Sequence, residues 1–462
     1  MITNKSILEL IGNTPLLKVG RLDTGPCELF LKLECQNPGG SIKDRIGLSM
    51  IAAAEREGKI KPGGTLVEAT AGNTGLGLAL VAASKGYRLV LVIPDKMSQE
   101  KISHLRALGA TVVMTRSDVE KGHPEYYQEM AERIAKETPG AFYVNQFANP
   151  ANPAAHEERT GPEIWEQMER RVDAVVCGVG SGGTLTGLSR FFAGVSPSTE
   201  FVLADPAGSV LAGYVKDKSV GKAGSWFVEG IGEDFIPPIA DLSRVTRAYT
   251  VTDAESFAAA RELLRQEGVL GGSSAGTLLA AALRYCRESK TPKRVVSLVP
   301  DTGGKYLSKM YNDFWMADQG FIRGQRHGDL RDLVGRPFSA GAVCSVKPDD
   351  TLMTAFNRMR LYEYEQLPVM EGGGVVGILD ESDILLAVSK DAAKYNSKVS
   401  EHMTQRLVTV CPDTPVDEMA DILAKGMAGI LQCEGKFYGL ITRVDLLNRL
   451  RRGLLAPKEA VK

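Results

Sequence analysis

Short apolar runs rich in β-branched residues alternate with amphipathic segments from about residue 26 to residue 300. The runs are TLVE (65–68), RLVLVI (88–93), TVVM (111–114), AVVC (174–177), EFVLA (200–204) and RVVSLV (294–299). Between them, apolar residues recur at helical spacing over 98–108, 153–170 and 253–266. Near-continuous apolar strands separated by helices are typical of parallel sheets with both faces covered. The pattern therefore predicts an α/β fold with parallel sheets covered by helices.

The C-terminal third of the chain follows a different pattern. With 462 residues the chain is too long for one ordinary core. Residues 319–336 are rich in Gly, Arg and Asp without an apolar period, which predicts a linker after a first domain of residues 1–318. Two segments beginning VCSVKPDDTLMTAFNRM and LVTVCPDTPVDEMADIL then repeat one order of strand, turn, helix, hairpin and helix. This internal duplication predicts paired domains at 337–392 and 393–456.

Composition and residue spacing indicate which ligands and which cellular location to expect. Lysine plus arginine (55) nearly balance aspartate plus glutamate (56), which favours small molecules over nucleic acid or anionic membranes. No stretch approaches the roughly 18 apolar residues of a membrane span, so we expect a soluble protein. The seven cysteines form no CxxC pair, which predicts reduced thiols and a cytoplasmic location. The five histidines have no metal-ligand spacing, so we expect no metal site.

One lysine lies at a predicted helix start. The segment NPGGSIKDR (37–45) reads as a turn leading into a helix, with Ser41 as a candidate N-cap and Lys43 in the first turn. Most lysines at such positions are solvated surface groups. The positive end of a helix dipole nevertheless favours a neutral, nucleophilic amine. By its own neighbourhood, Lys43 is either a surface lysine or a catalytic amine.

Three loops of small residues each precede a helical pattern: TAGNTG (70–75), GVGSGGT (178–184) and GGSSAG (271–276). Backbone N–H groups at helix starts bind anions, although each loop is also readable as a capped turn. The second loop satisfies GxGxxG, so a dehydrogenase with Asp205 at the ribose is a rival hypothesis. Ligands of such sheets bind outside the carboxyl ends of the strands, and three loops after strands predict one ligand site there.

Six ordered motifs carry a family resemblance: NPGGSIKDR, ATAGNTG, NQFANPANP, GVGSGGTLTG, VEGIG and GGSSAGT. Together they resemble fold-type II pyridoxal 5′-phosphate (PLP) enzymes of the cysteine synthase/cystathionine β-synthase family. The stretch PDTGGKYLSKMYNDFWM (300–316) resembles the end of the β-synthase catalytic domain. The duplicated part resembles tandem CBS domains, the adenosine-sensing module. The resemblance implies a PLP enzyme followed by a regulatory pair, and it favours the β-synthase branch.

The resemblance also implies roles for individual residues. Lys43 would carry PLP as a Schiff base and move the substrate α-proton, Asn73 would bond the 3′-oxygen, and Ser274 the pyridine nitrogen. The implied phosphate cup consists of Gly180, Ser181, Gly182, Gly183 and Thr184. The implied contacts of the substrate carboxylate are Thr70, Ala71, Gly72, Thr74 and Gln146.

The implied reaction is β-replacement. Serine or O-acetylserine loses its β-substituent and homocysteine adds, giving cystathionine for transsulfuration and cysteine biosynthesis; release of hydrogen sulfide from cysteine is a second expected reaction. The alternative is a cysteine synthase that joins O-acetylserine to sulfide. Ala71 stands where the family often has serine, which leaves the leaving group open. Glu233 either contacts the amine of homocysteine or is a solvated loop residue.

The resemblance sets further expectations for ligands and assembly. Because the catalytic pattern begins within a few residues of Met1, we expect no haem. In the CBS pair, Thr442 and Asp445 match a signature that binds phosphate and ribose, whereas the first repeat has Asp380 and Asp383. A carboxylate repels phosphate, which favours an adenosyl ligand such as S-adenosylmethionine over ATP; an empty clamp is the alternative. We expect a homodimer or a higher homo-oligomer, and the intact lysine and loops disfavour a non-enzymatic sensor.

Overall fold

In a computed structural model, residues 6–70, 72–95, 99–119, 122–322 and 327–455 are described. The chain divides into two compact units between Tyr311 and Asn312. The strands of the first unit are β1 (Leu16–Lys18), β2 (Glu28–Lys32), β3 (Thr65–Ala69), β4 (Arg88–Pro94), β5 (Thr111–Thr115), β6 (Ala141–Tyr143), β7 (Ala174–Cys177), β8 (Glu200–Pro206), β9 (Val245–Val251) and β10 (Arg294–Leu298). Its α-helices are α1 (Lys43–Arg56), α2 (Asn73–Lys85), α3 (Gln99–Ala107), α4 (Tyr127–Glu137), α5 (Ala151–Ala155), α6 (Gly161–Gln167), α7 (Gly183–Val195), α8 (Leu211–Asp217), α9 (Asp253–Glu267) and α10 (Ser273–Glu288).

The strands of this unit pair into a six-stranded and a four-stranded sheet. The six-stranded sheet has the order β1-β2-β10-β7-β8-β9, and every pair is parallel except β1 with β2. The four-stranded sheet has the order β5-β4-β3-β6 and is parallel throughout. The chain thus leaves the larger sheet after β2, builds the smaller one, and returns at β7. The predicted α/β fold with parallel sheets is confirmed.

The strands follow the burial that their sequences predict. Strands β3 and β7 are buried at every residue, as expected for strands whose two faces are covered by helices, although β3 includes the polar residues Thr65 and Glu68. Strand β9, VTRAYTV, is buried only at its two ends. Its polar residues interrupt the apolar pattern, so the sequence did not predict this strand. Strand pairing in the larger sheet, and not apolar pattern, therefore defines β9.

Two glycines bring helices α1 and α2 into backbone contact. A Cβ added to Gly77 would lie 2.5 Å from the carbonyl oxygen of Lys43, and one added to Gly47 would lie 2.8 Å from the carbonyl carbon of Gly77. Side chains larger than hydrogen would push the helices apart. This close packing holds the first turn of α1 beside the start of α2.

The second unit contains two similar repeats. Its helices are α11 (Asp313–Asp318), α12 (Leu352–Tyr362), α13 (Glu381–Val388), α14 (Val416–Ala424) and α15 (Arg443–Leu455). Its strands are β11 (Gln366–Glu371), β12 (Gly374–Asp380), β13 (Thr409–Val410), β14 (Gly429–Cys433) and β15 (Lys436–Ile441). Each repeat has a helix, an antiparallel hairpin with one irregular register step, and a final helix. Leu330 and Leu333, within the predicted linker, are buried in the core of the second repeat.

One expectation about the cysteines is wrong. Cys411 and Cys433 form a disulfide with their Cα atoms 5.0 Å apart, whereas all seven cysteines were expected to be reduced. Strand β13 pairs in parallel with β14, which brings the residue after β13 beside the last residue of β14. Their sequence separation of 22 gave no signal of this pairing. Among the described residues, no helix is long and apolar enough to cross a membrane.

Candidate functional site

Lys43 is the first residue of α1, and its amine is poorly solvated. Burial lowers the pKa of Lys43 to about 8, although the carboxylates of Glu233 and Asp301 act to raise it. About a tenth of such amines are neutral at pH 7. The backbone N–H of Lys43 donates to Ser41 Oγ over 3.3 Å. The helix start therefore presents an amine that is far easier to deprotonate than a surface lysine.

The GVGSGGT loop connects β7 to α7 and is tightly enclosed. Gly182 has φ of +92°, and a Cβ added to Gly183 would lie 1.9 Å from Asn152 Oδ1. The hydroxyl of Ser181 accepts a hydrogen bond from Asn152 Nδ2 over 3.0 Å. Within the described chain, none of the backbone N–H groups of residues 180–184 has an acceptor. A loop of unpaired N–H groups at a helix start fits an anionic group such as phosphate.

The TAGNTG loop connects β3 to α2. Thr70 Oγ1 accepts from the N–H of Gly72 over 3.2 Å, and Gly72 has φ of +132°. The hydroxyl of Thr74 donates to Gln146 Oε1 over 2.6 Å, so the structure brings Gln146 beside this loop. Ala71 lies outside the described residues.

Asn73 is held by two residues that sequence reasoning missed. Its Nδ2 donates to Asp301 Oδ2 over 2.7 Å, and its Oδ1 accepts from Lys305 Nζ over 3.0 Å. Both partners come from the loop after β10, more than 220 residues away in sequence. One hydrogen of the Asn73 amide remains for a ligand. The only sequence signal was that a PDTGGKY segment follows the last buried strand.

The GGSSAG loop differs from its prediction. It was expected after a strand, but it follows helix α9 and reaches the site because Gly271 pairs with Thr302 in an isolated β-bridge. The N–H of Gly272 donates to the carbonyl of Asp301 over 3.0 Å. Ser274, the second residue of α10, is 3% exposed. Ser274 is therefore placed by backbone pairing with the loop after β10, and not by a strand that precedes the loop.

Glu233 also lies at this site. Its backbone N–H donates to Ser209 Oγ over 3.1 Å, and its carboxylate acts on the pKa of Lys43. Glu233 is half-buried. Its contact with the amine of homocysteine stays a prediction.

A second charged cluster lies behind the TAGNTG loop. Lys101 Nζ donates to Glu229 Oε2 over 2.6 Å and to the hydroxyl of Tyr306 over 3.2 Å. Lys309 Nζ donates to the other oxygen of Glu229 over 2.8 Å. The Tyr306 hydroxyl donates in turn to Asp301 Oδ2 over 2.7 Å. Sequence reasoning named none of these residues as site residues, because their pairing appears only in three dimensions.

The predicted regulatory residues form helix caps. Asp383 Oδ2 accepts from the N–H of Asp380 over 3.0 Å, and Asp380 Oδ1 accepts from the N–H of Asp383 over 2.8 Å. In the second repeat, Asp445 Oδ2 accepts from both the N–H and the hydroxyl of Thr442 over 2.7 and 2.6 Å. Both repeats thus share the bond from the N–H at the helix start to the carboxylate three residues later, and they differ in the second bond of the cap. Over the described ranges, no group of three His, Cys, Asp or Glu side chains could hold a metal ion.

Comparisons with known proteins identify matching families, relatives and solved structures. Residues 7–301 match the family model "Pyridoxal-phosphate dependent enzyme", and residues 336–390 and 399–452 each match "CBS domain". A cystathionine β-synthase of Dictyostelium discoideum is 35% identical, covering 97% of this chain and 92% of the relative. A solved hydrogen sulfide-producing enzyme from Fusobacterium nucleatum is 37% identical with a TM-score of 0.62, covering 66% of this chain and 100% of its own. A solved O-acetylserine-dependent cystathionine β-synthase from Helicobacter pylori is 35% identical with a TM-score of 0.61, covering 67% and 99%.

Proposed function

Because the chain belongs to the cystathionine β-synthase family of PLP-dependent enzymes, we propose that it condenses serine or O-acetylserine with homocysteine to give cystathionine. The observation that carries this proposal is the buried Lys43 amine at the start of α1, whose pKa burial lowers to about 8 while the Glu233 carboxylate acts to raise it. This β-replacement needs a base for the α-proton, and a carboxylate can pair with the ammonium group of a substrate.

The residues of the site fit PLP. The unpaired N–H groups of residues 180–184 and the start of α7 would neutralise its phosphate, and Lys43 would attach it. Asn73 would donate its remaining amide hydrogen to the 3′-oxygen, and Ser274 would face the ring nitrogen. When bound, PLP supplies an electron sink for negative charge at the substrate α-carbon. A hydroxyl such as that of Ser274 is a weaker partner for the ring nitrogen than a carboxylate.

The substrate carboxylate is proposed to bind at the start of α2. Thr70, Gly72, Thr74 and Gln146 surround this helix N-terminus, whose dipole and N–H groups favour an anion. This placement leaves the α-carbon of the substrate near Lys43, since α1 and α2 are in backbone contact. The neutral Lys43 amine then takes the α-proton, and its protonated form hands a proton to the departing β-substituent.

Glu233 is proposed to select the second substrate. Homocysteine carries an ammonium group that a carboxylate can pair with, whereas sulfide has none. Glu233→Gln should therefore raise KM for homocysteine about tenfold and leave KM for sulfide unchanged, as expected when one charge-assisted hydrogen bond is lost. Glu158→Gln, on the π-turn after α5, is a matched control with no expected effect. Equal effects on both nucleophiles would contradict this role.

A substrate matrix tests the reaction itself. The purified holoenzyme is offered serine or O-acetylserine against homocysteine or sulfide, with cystathionine and cysteine measured by mass spectrometry. Preference for homocysteine supports a β-synthase, and preference for sulfide supports the cysteine synthase alternative. Ala71→Ser in the same matrix tests whether the missing hydroxyl sets the leaving group. Hydrogen sulfide release from cysteine is measured alongside, because the related Fusobacterium enzyme is hydrogen sulfide-producing.

The C-terminal pair is proposed to bind an adenosyl ligand. Asp383 and Asp445 would hold ribose, and Asp380 would disfavour a phosphate in the first repeat. Calorimetry of the full chain with S-adenosylmethionine and with ATP tests this, and absence of heat with both would favour an empty clamp. We further propose a cytoplasmic homodimer without haem or metal, testable by light scattering and by absorption and metal analysis of the purified protein.

A further inference from the structure

A buried histidine contacts the predicted phosphate cup from behind. His156 is 1% exposed and begins a single π-helical turn, His156–Thr160, that joins α5 to α6. Its Nε2 lies 3.3 Å from Thr184 Oγ1 and its Nδ1 lies 3.0 Å from Thr160 Oγ1. Such π-turns often mark functional positions, because they reorient side chains within a helix.

Glycine in α7 allows this approach. A Cβ added to Gly187 would lie 2.2 Å from the carbonyl of Pro153 and 2.7 Å from the Cβ of His156. The segment that carries His156 therefore packs directly on the first turns of α7. This packing places the imidazole against Thr184 and not against solvent.

The imidazole is neutral in this setting. Burial lowers the pKa of His156 well below its ordinary value, and the cations of Arg45 and Lys43 lower it further, against the opposing carboxylate of Glu163. A neutral imidazole has one N–H donor and one acceptor nitrogen. Its tautomer therefore decides in which direction the two threonine hydroxyls point their protons.

Thr160 distinguishes the two tautomers. It is fully buried, and within the described residues its hydroxyl has no hydrogen-bond partner besides His156 Nδ1. If Nδ1 carried the proton, the hydroxyl proton of Thr160 would be buried without an acceptor, which costs free energy. If Nε2 carries it, Thr160 donates to Nδ1 and the Nε2–H donates to Thr184 Oγ1. Thr184 then keeps its own proton for another acceptor.

We propose that His156 is a positioning residue for the cofactor phosphate: its Nε2–H donates to Thr184 and thereby directs the Thr184 hydroxyl proton into the cup of residues 180–184. This inference rests on the proposed binding of PLP at that cup. The chain Thr160, His156, Thr184 then supplies one side-chain donor to the phosphate in addition to the backbone N–H groups. The contribution of His156 acts through Thr184.

The first experiment reads the tautomer directly. Histidine-selective ¹⁵N labelling of the holoenzyme gives ¹H–¹⁵N correlations that distinguish Nε2–H from Nδ1–H, and the His156 signals are assigned by their loss in His156→Gln. We expect a neutral Nε2–H form. A neutral Nδ1–H form or an imidazolium would overturn the proposal.

The second experiment separates positioning from mere packing. His156→Gln retains a donor near the Nε2 position, whereas His156→Asn does not, and Thr184→Val removes the hydroxyl. His156→Asn and Thr184→Val should each weaken PLP affinity about tenfold, equivalent to one hydrogen bond of about 1.4 kcal/mol, and shift the ³¹P resonance of the bound phosphate. The double variant should lose no more than either single variant. His156→Gln should restore affinity and the ³¹P position.

The outcomes distinguish the two levels of proposal. Additive losses in the double variant, or an unchanged ³¹P shift in folded His156→Asn, would refute the positioning role. Failure of the wild-type chain to bind PLP at all would refute the proposed function instead. If His156→Asn does not fold, as judged by circular dichroism, the tautomer of His156 measured by ¹⁵N correlations in the wild-type holoenzyme still tests the positioning role.

Discussion

The two units of the chain differ in what they bury. Every polar or charged side chain that is buried within the described residues lies in the first unit, between Thr14 and Lys305. In the second unit, over the described part of 312–455, the buried side chains are apolar. The second unit instead uses polar side chains at helix starts, such as Thr351, Asp380 and Thr442, with partners three residues away.

Buried polar groups with distant partners and local helix caps have different physical consequences. Buried polar groups need partners, and those of the first unit find them across large sequence separations, as Asn73 does with Asp301. Such contacts hold side chains in a low-dielectric site where pKa values shift, as for Lys43. Local caps stabilise helices without shaping a reactive site. We therefore expect substitutions in the first unit to have larger effects than those in the second.

The largest expected effect is on catalysis. Lys43→Ala should prevent covalent attachment of the cofactor and lower activity by at least ~10²-fold, since it removes the proposed acid and base. Borohydride trapping followed by mass spectrometry measures the attachment. Lys85→Ala, which breaks only an ion pair with Glu55 in the same unit, is the control and should retain activity. Turnover at the wild-type rate in Lys43→Ala would contradict the assignment of Lys43 as the catalytic acid and base.

The next effect is on the stability of the first unit. Arg45 donates in bidentate fashion to Glu34, over 2.7 and 2.8 Å, and to Glu163, over 2.8 and 2.6 Å. Arg45→Met should lower the free energy of unfolding by about 3–5 kcal/mol, because the fully buried Glu34 carboxylate loses its cation. Urea denaturation measures the loss. Arg116→Met, at an exposed ion pair, should change stability little; similar losses in both variants would contradict the comparison.

A third prediction concerns pH. The neutral amine of Lys43 is the nucleophile for cofactor attachment, and its pKa is lowered to about 8 by burial. The rate at which apoprotein takes up PLP should therefore rise about tenfold per pH unit below 8 and level off above it. Glu233→Gln removes a carboxylate that raises this pKa, so its profile should shift to lower pH. Stopped-flow absorbance measures both profiles, and a plateau only near pH 10 would refute the lowered pKa.

The smallest expected effect lies in the second unit. Thr351 Oγ1 accepts from the N–H of Thr354 over 3.2 Å and caps α12. Thr351→Ala should destabilise the second unit by about 1 kcal/mol and leave the PLP affinity unchanged. Asn357→Ala, exposed on the same helix, is the control for composition. A loss of unfolding free energy in Thr351→Ala as large as that in Arg45→Met would contradict the expectation that substitutions in the first unit have the larger effects.

Strong local patterns carried much of the prediction. The near-continuous apolar runs at β3, β4, β7 and β10 marked the parallel sheets, because strands covered on both faces are mostly apolar. The duplication marked two similar repeats. Patterns failed where burial is partial, as at β9, or where contact depends on pairing between strands, as for Cys411 and Cys433.

Some residues of the candidate site were predicted from motifs, and others are apparent only in the structure. Lys43, the glycine loops and Gln146 were named from motifs, and the structure brings them together, while their roles stay predictions. Asp301, Lys305 and His156 were not named as site residues. Each acts through a hydrogen bond to a residue far along the chain, and no local period or spacing encodes such a bond.

The sequence by itself determined the α/β class, the duplicated C-terminal part and the helix start that presents Lys43, because these depend on local pattern and backbone preference. Only the tertiary structure decided which polar groups surround that amine. Burial lowers its pKa, the carboxylates of Glu233 and Asp301 act to raise that pKa, and Asp301 and Lys305 together hold Asn73. These relations arise when residues more than 180 positions apart in sequence lose water together, and a linear sequence does not state which residues will meet.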